Sequence, residues 1–389
     1  MLRILERFSA FRRPRPAPVC LAGVFAMHAL LPALGASQTR FTRNQQDKEK
    51  EQDRIEQAQR REGEAVLELA DAAMAGKPAP SDFAISWRND FLKAQQGTFV
   101  PFTLMVDASK LRTPEALLYV RAAPRGSGSP ADGDAKEKAR KRRGREVEPA
   151  ETYPVDAIFQ IELKPESGQT ARVSRGFSVS PGDYDVYVVI RERSGEGQAA
   201  PKASVLKQAL AVPNYWSNEL TTSTVILADR LTMLTEPLAP DELIERPYVI
   251  GLNDVQPALD AAFRRHEELI FVFLVYNPTV ATDKEFDVQV EYHFFKKAGA
   301  ADSPGPVQAA GEHPPERDGE RYLNRTDPQR FNRATMGPQF DPAAGHPVMA
   351  GQGVPLAGFQ DGEYRLAIRV SDLLAGRSIT RDVNFTVGS

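Results

Sequence analysis

One short segment carries residue types suited to ligand binding. Asn214, Tyr215, Trp216 and Asn218 lie within five consecutive residues. Aromatic rings can stack on the apolar face of a sugar, and neighbouring amides can hydrogen-bond its hydroxyls, so the segment could contact a glycan. The alternative is structural: Trp216 closely follows a predicted strand, where such a ring caps a core edge and its N–H bonds locally. The sequence favours the capping role.

The patterns that identify common enzymes do not occur in the sequence. There is no H-E-x-x-H pair, no G-x-S-x-G elbow and no Walker-type glycine loop. Four histidines follow the first 36 residues, and we expect them to be exposed and without a role: His266, His293, His313 and His346. We therefore predict no catalytic residue, no metal site, no cofactor and no enzymatic activity.

Residues 1–36 have the layout of a secretory signal peptide. Five arginines precede a short apolar run at 19–31, and small residues follow it. The run is shorter than the roughly 20 residues that a membrane-spanning helix needs. We predict cleavage after Ala36, with Gly35 as the second choice, and an uncleaved anchor as the alternative. The product would be a periplasmic or extracellular protein with no stable membrane span. The chain's one cysteine, Cys20, lies in this segment, so no disulfide is predicted beyond it.

The charge balance argues against nucleic acid as a partner. The whole chain has a net charge of −3, and removal of residues 1–36 takes away five basic residues and one acidic residue. The remainder is more acidic still, whereas a general nucleic-acid binder needs a basic surface. Residues 136–145 are a local exception with seven basic side chains. They could bind an anionic surface, but a solvated loop is the simpler interpretation.

A helix is predicted at residues 44–76. The segment has no proline and is rich in good helix formers. Val66, Leu69, Ala70 and Ala73 share one helical face, whereas the first half has almost no apolar stripe. This pattern favours a solvated lead-in whose last two turns rest on the first domain over a coiled coil.

Two hairpins, 180 residues apart, share one motif. Gly182 and Tyr184 open a strand with an acidic residue between them, and Gly362 and Tyr364 repeat the pattern. The apolar residues then alternate with polar ones, as in half-buried antiparallel strands. Each tyrosine is suited to a tyrosine corner, in which its hydroxyl bonds back to the backbone near a late sandwich strand. We expect these four residues to be structural.

The remaining alternating segments complete the predicted fold, which is mainly β. It consists of two Ig-like antiparallel β-sandwich domains behind the signal peptide and the helix. Further strands are predicted at 99–106, 117–121, 155–163, 173–179 and 222–227 in the first domain, and at 248–250, 269–276 and 286–295 in the second.

The domain boundary is placed in the proline-rich segment 235–247, which gives domains at 81–230 and 236–389. Each domain has one insert without an apolar pattern, at 124–151 and 297–320, and we expect both inserts to be disordered. Residues 321–355 are expected to form an ordered irregular loop.

Four segments of the chain carry a resemblance to exported proteins of the acidobacterial type, for which no activity is known. The segments are 101–107, 246–278, 321–328 and 355–387, and the resemblance covers roughly residues 65–389. It implies export and paired β-sandwich domains, and no catalytic or binding residues.

The sequence thus predicts an exported, non-catalytic structural or protein-interaction protein. Its partner would be an envelope or extracellular protein, because paired sandwiches present edges and loops for partners. The alternative is a carbohydrate-binding protein that uses the cluster at 214–218.

Overall fold

The computed structural model describes residues 37–125, 153–193, 200–297 and 313–388. The predicted signal peptide, most of the insert at 124–151, the basic segment 136–145 and much of the insert at 297–320 lie outside these ranges. Within them the chain is mainly β, with four sheets in which nearly all pairs are antiparallel, so the predicted fold class is confirmed.

The described residues form 21 strands and a few helices. The strands of the first half are β1 (Ile85–Asn89), β2 (Leu92–Lys93), β3 (Thr98–Asp107), β4 (Glu115–Pro124), β5 (Val155–Glu162), β6 (Pro165–Ser167), β7 (Thr170–Val179), β8 (Gly182–Glu192) and β9 (Ala203–Val212). Those of the second half are β10 (Thr221–Thr222), β11 (Ile226–Met233), β12 (Val249–Ile250), β13 (Asn253–Pro257), β14 (Ala262–Arg264), β15 (Glu268–Tyr276), β16 (Asp287–Lys297), β17 (Glu320–Arg325), β18 (Gln329–Asn332), β19 (Val348–Pro355), β20 (Gly362–Asp372) and β21 (Arg377–Gly388). The α-helices are α1 (Ser37–Met74), α2 (Glu242–Glu245) and α3 (Arg333–Met336).

The four sheets have simple strand orders. Sheet A runs β5–β4–β8–β9, and sheet B runs β1–β3–β7–β6 with β2 paired to β3. Sheet C runs β10–β15–β11–β13–β12 with β19 paired to β15. Sheet D runs β14–β21–β20–β16–β17 with β18 paired to β16, and its β14–β21 pair is parallel.

The chain divides into two compact units. Unit 1 consists of residues up to Ile85 together with Val106–Ala171 and Asp185–Gln208. Unit 2 consists of Ser86–Met105, Arg172–Tyr184 and Ala209–Ser389. Strand β11, which the sequence assigns to the first sandwich, pairs with β13 and β15 in unit 2. The predicted boundaries of the two domains stay a prediction.

In unit 1 the end of helix α1 rests on sheet A. Val66 and Ala70 are fully buried and pack against Leu117 and Tyr119 of β4. The predicted N-terminal helix is confirmed, with bounds of Ser37 and Met74 in place of 44–76, and its last turns rest on sheet A as expected. The solvated character of its first half stays a prediction. Arg121 of β4 fixes the last turn, because its guanidinium lies 2.5 Å from an Asp71 carboxylate oxygen.

In unit 2 sheets C and D pack face to face as a β-sandwich. Alternate residues of β15, including Phe271 and Phe273, share one core with Tyr292 and Phe294 of β16 and with Leu366 of β20. Period-two alternation along each strand places these side chains on one face.

The opposite face of sheet C is also buried. Val272, Leu274 and Tyr276 of β15 pack there with Leu92 and Tyr215. Because both faces of β15 are covered, this strand reads as a continuous apolar run, from Leu269 to Tyr276.

The repeated glycine–tyrosine motif has the same geometry in both copies. Gly182 has a φ of 146° and Gly362 one of 149°, a backbone region open essentially only to glycine. The Tyr184 hydroxyl donates to the Ser180 carbonyl at 3.0 Å, and the Tyr364 hydroxyl to the Gln360 carbonyl at 2.6 Å. Each hydroxyl bonds back four residues, as a tyrosine corner requires.

The expectation of an irregular loop at 321–355 is wrong, because β17, β18 and β19 all lie in this region. Strand β19 is hard to recognise since it contains Gly351 and Gly353. A Cβ on Gly351 would lie 2.4 Å from the Phe271 carbonyl oxygen of the paired strand, so this position cannot carry a side chain. Tertiary pairing, not local propensity, makes this segment a strand.

Candidate functional site

Trp216 presents an exposed indole held in a fixed orientation. The residue is 52% exposed, and its Nε1–H donates to the Gly97 carbonyl at 3.0 Å. Its backbone N–H donates to the Asn214 side-chain oxygen at 2.9 Å, which fixes the turn. A ring anchored through its N–H with half its surface in solvent can act as a stacking platform.

Lys93 of β2 lies over this ring. Its Nζ is 4.5 Å from the Trp216 ring centroid, within the range of a cation–π contact. The same Nζ donates to the Asn277 side-chain oxygen at 3.0 Å. Burial lowers the pKa of Lys93 from its usual value. No carboxylate of the described residues forms an ion pair with it.

Asn277 connects Lys93 to the loop that carries Trp216. Its side-chain nitrogen donates to the carbonyls of Tyr215 and Glu219, at 3.2 and 3.0 Å. The residue has a φ of 58°, a conformation that asparagine tolerates better than most residues. This amide therefore holds the loop and the ammonium in fixed relative positions. Lys93, Asn214, Trp216, Asn218 and Asn277 are called the Trp216 site below.

Arg377 holds the loop from its other side. It donates to the backbone carbonyl of Asn218 at 3.4 Å and to that of Asn277 at 3.0 Å. Its own charge is matched by Asp372, whose carboxylate is fully buried and lies 3.2 Å away. Lys93, in contrast, has only neutral partners.

The structure separates the four residues predicted at 214–218. Trp216, Asn214 and Asn218 are exposed, whereas Tyr215 is buried and stacks at a tilt against Tyr276, with ring centroids 5.1 Å apart. Tyr215 thus belongs to the core. The indole N–H bonds to the backbone at Gly97, as a capping ring would, but the residue stays half in solvent. The capping role stays a prediction. Lys93 and Asn277 are distant in sequence, and no local pattern points to them.

A second polar site covers the outer face of sheet D. The Arg365 guanidinium lies 2.6 Å from Glu320 and 2.9 Å from Asp382, and 4.0 Å from the Phe295 ring centroid. Burial opposes the charge of Arg365, but its bonds to the two carboxylates outweigh this effect and raise its pKa. At Glu320 burial raises the pKa of the carboxyl, but the bonds to Arg365 outweigh this effect and lower the pKa below its usual value.

His293 lies beside this ion pair and is fully buried. Neither ring nitrogen has a hydrogen-bond partner among the described residues. Burial, with the nearby charges of Arg325, His313 and Arg369, lowers the pKa of His293 to about 4. The imidazole is therefore neutral at pH 7.

The expectation that His293 is exposed is wrong. Alternation places His293 on the polar face of β16, but that face is covered by β17 and the residues before it. Tyr322 contacts the His293 ring at a centroid distance of 6.1 Å, and His313 stacks on Tyr322 at 4.1 Å. His313 lies in the predicted insert and is only partly exposed.

A shallow pocket lies at one end of sheet D. Its volume is about 260 Å³, and Tyr364, Phe385, Lys297 and Glu363 contribute to its wall. Lys297 and Glu363 pair with each other at 2.7 Å, so neither charge is left for a ligand. In the described ranges, no group of three or more His, Cys, Asp and Glu side chains could hold a metal ion.

Among the residues placed in the structure, no helix combines the length and apolarity needed to cross a membrane.

Comparison with known proteins assigns the chain to no family. No protein-family model matches it, and no curated protein matches it in sequence. Among solved structures, the crystal structure of a mutant of Salmonella alpha-2-macroglobulin is similar to it with 12% identity and a TM-score of 0.19. That match covers 80% of this chain but only 15% of the macroglobulin chain.

Proposed function

We propose that the protein is an exported, non-catalytic interaction protein that binds an envelope or extracellular protein through unit 2. One observation supports this proposal. Four of the eight large apolar side chains exposed in the described residues lie close together in sequence, at Leu231, Met233, Ile244 and Leu252. They are called the β11 patch below. Apolar side chains grouped on a surface are typical of interaction sites.

The β11 patch continues a core face into solvent. Leu231 is paired with buried Val255, and Met233 is paired with Asn253, so both point to the face of sheet C that carries Tyr215 and Val272. Met233 is 73% exposed. The adjoining helix α2 is tied to β13, because the Arg246 guanidinium lies 2.5 Å from the Asp254 carboxylate.

The test is capture of partners from an envelope extract with the mature protein and a double variant, Leu231→Lys with Met233→Lys. The matched control is Leu373→Lys with Leu374→Lys, which changes two exposed leucines in the turn between β20 and β21. We expect one stoichiometric partner that the wild type and the control retain and the patch variant loses. Equal capture by all three proteins would contradict the proposal, and so would patch-dependent self-association without a partner.

A second candidate function is glycan binding at the Trp216 site. The observation that favours it is half-exposed Trp216, whose indole is oriented by Gly97, with exposed Asn214 and Asn218 two residues before and after it in the chain. Such a ring can stack on a sugar, and exposed amides can bond to its hydroxyls.

Tryptophan fluorescence tests the glycan candidate directly, because the chain has two tryptophans. Trp87 stacks on Phe102 with ring centroids 4.3 Å apart, and Trp87→Phe preserves this aromatic contact. In that background Trp216 is the only reporter. A glycan array on the wild type and on Trp216→Ala selects ligands, and a saturable change in Trp216 emission confirms them. Array signals unchanged by Trp216→Ala would contradict this candidate.

A further inference from the structure

We propose that the Trp216 site takes an acidic saccharide of the uronate class, with the sugar ring on Trp216 and its carboxylate on Lys93. The inference rests on the second candidate function, glycan binding, and specifies the chemistry of its ligand. Three observations support it: the charge of Lys93, the position of that charge beside the ring, and the rigidity of the two groups relative to each other.

Among the residues that the structure describes, no acidic side chain pairs with the charge of Lys93. An ammonium has three donors, and one of them is used by the side-chain oxygen of Asn277. Neighbouring Arg377 is neutralised by Asp372, so Lys93 is the cation whose charge the site leaves unmatched. The acid nearest in sequence to the loop is Glu219, and it forms no ion pair with Lys93. A ligand carboxylate would supply the missing charge-assisted hydrogen bonds.

The position of Lys93 selects a ligand that combines a ring with a charge. Its Nζ is 4.5 Å from the Trp216 ring centroid, so a group bound to Lys93 lies within a few ångströms of the indole. A hexuronate has this combination, because its carboxylate is attached directly to the sugar ring. Simple anions such as phosphate would use Lys93 but not the exposed indole, and neutral sugars would use the indole but leave Lys93 unmatched.

The rigidity of the site favours binding. The backbone N–H of Lys93 donates to the Tyr276 hydroxyl at 3.0 Å, and that tyrosine is buried. Asn277 fixes the ammonium, and Gly97 fixes the indole. A site whose groups are already ordered loses less conformational entropy when a ligand binds.

The experiment compares two ligands with the same rings and different charge: tetragalacturonate and its fully methyl-esterified form. Each is titrated into Trp87→Phe protein, with Trp216 emission and calorimetry as readouts. Lys93→Gln removes the charge in this background, Lys93→Arg retains it, and Lys284→Gln is the control at an exposed lysine paired with Asp341.

We expect tetragalacturonate to bind about tenfold more tightly than its methyl ester. Added salt should weaken the binding of tetragalacturonate and leave that of the ester unchanged. Lys93→Gln should reduce binding of the acid to that of the ester, whereas Lys93→Arg and Lys284→Gln should keep the preference. Equal binding of both ligands, or a preference that survives Lys93→Gln, overturns the inference while glycan binding stands. Binding of neither ligand by folded protein also overturns the inference, and the glycan array with Trp216→Ala then decides separately whether glycan binding stands.

Discussion

Arg365 and Glu320 form a buried ion pair across sheet D. Their closest nitrogen and oxygen atoms are 2.6 Å apart, and their side chains are 2% and 5% exposed. Glu320 begins β17, and Arg365 lies in β20 on the other side of β16, so the pair spans the strand between them. It fastens the segment that covers His293 to the sheet.

Removing one partner of this ion pair should destabilise unit 2. Glu320→Gln leaves the buried guanidinium with Asp382 as its remaining carboxylate and weakens its charge-assisted hydrogen bonds. We expect a loss of about 1.5–3 kcal/mol in the free energy of unfolding. Urea denaturation measures it. The control is Glu363→Gln, which breaks an exposed pair with Lys297 on the same sheet and should leave the unfolding midpoint unchanged. Equal effects of the two variants would show that the buried pair has no special role.

Buried His293 should make the protein sensitive to acid. Its folded pKa is about 4, below the ordinary value of 6.5, so the folded state binds fewer protons than the unfolded state between these values. Stability should therefore be present above pH 6.5 and fall as the pH decreases towards 4, by at most about 1.4 kcal/mol per pH unit.

The variant His293→Leu tests this pH dependence, because it cannot take up the proton. Its unfolding midpoint should fall less steeply than that of the wild type between pH 6.5 and 4. His266→Gln, at an exposed histidine, should follow the wild type. Identical slopes for all three proteins would contradict the assignment of the acid effect to His293.

Asp90 should have the opposite pH dependence. It is almost fully buried in unit 2, and burial raises its pKa to about 6 while Arg88 opposes the shift. The folded state therefore holds this proton more tightly, and stability falls as the pH rises from about 4 to about 6. Asp90→Asn should gain stability relative to the wild type over this interval, as measured by urea denaturation at several pH values. Exposed Asp327→Asn should show no such gain.

The two tyrosine corners should contribute about equally to stability. Tyr184→Phe and Tyr364→Phe each remove one hydroxyl that donates to a backbone carbonyl, and each should lower the free energy of unfolding by about 1 kcal/mol.

The glycine of the motif should be sensitive to substitution. Gly362→Ala should destabilise the protein more than Gly358→Ala, since of these two glycines only Gly362 has a positive φ, at 149°. Thermal unfolding of the four variants provides the measurement. A Tyr→Phe variant as stable as the wild type would show that its corner bond is dispensable.

Strands whose apolar and polar residues alternate regularly were predictable from the sequence. The segments at 155–163 and 286–295 form strands and 362–387 forms a hairpin of two, because period-two patterning separates the two faces of a strand. The strands that the sequence did not reveal are short, as β2 and β14 are, or rich in glycine, as β19 is. Their conformation depends on partners distant in the chain, and no local pattern encodes such pairing.

The candidate sites were predictable only in part. Trp216 was visible because tryptophan is rare and stands among amides. Lys93 was not, since it is an ordinary lysine more than a hundred residues away. His293 was assigned to the wrong environment, because alternation identifies the polar face of a strand but not what later covers it.

Strand pairing within the sandwich constrains the order of folding. β15 pairs with β19 from Glu268 to Val275, and the paired residues are about eighty positions apart. Closing this loop costs entropy before the contact is gained. β16 likewise pairs with β20, far along the chain. During synthesis, the apolar run of β15 must therefore wait until the ribosome has made residues beyond 355. Until then β15 can pair only with β10 and β11, which precede it in the chain, and its edge towards β19 stays open. A chaperone that holds nascent chains would find an exposed apolar segment there.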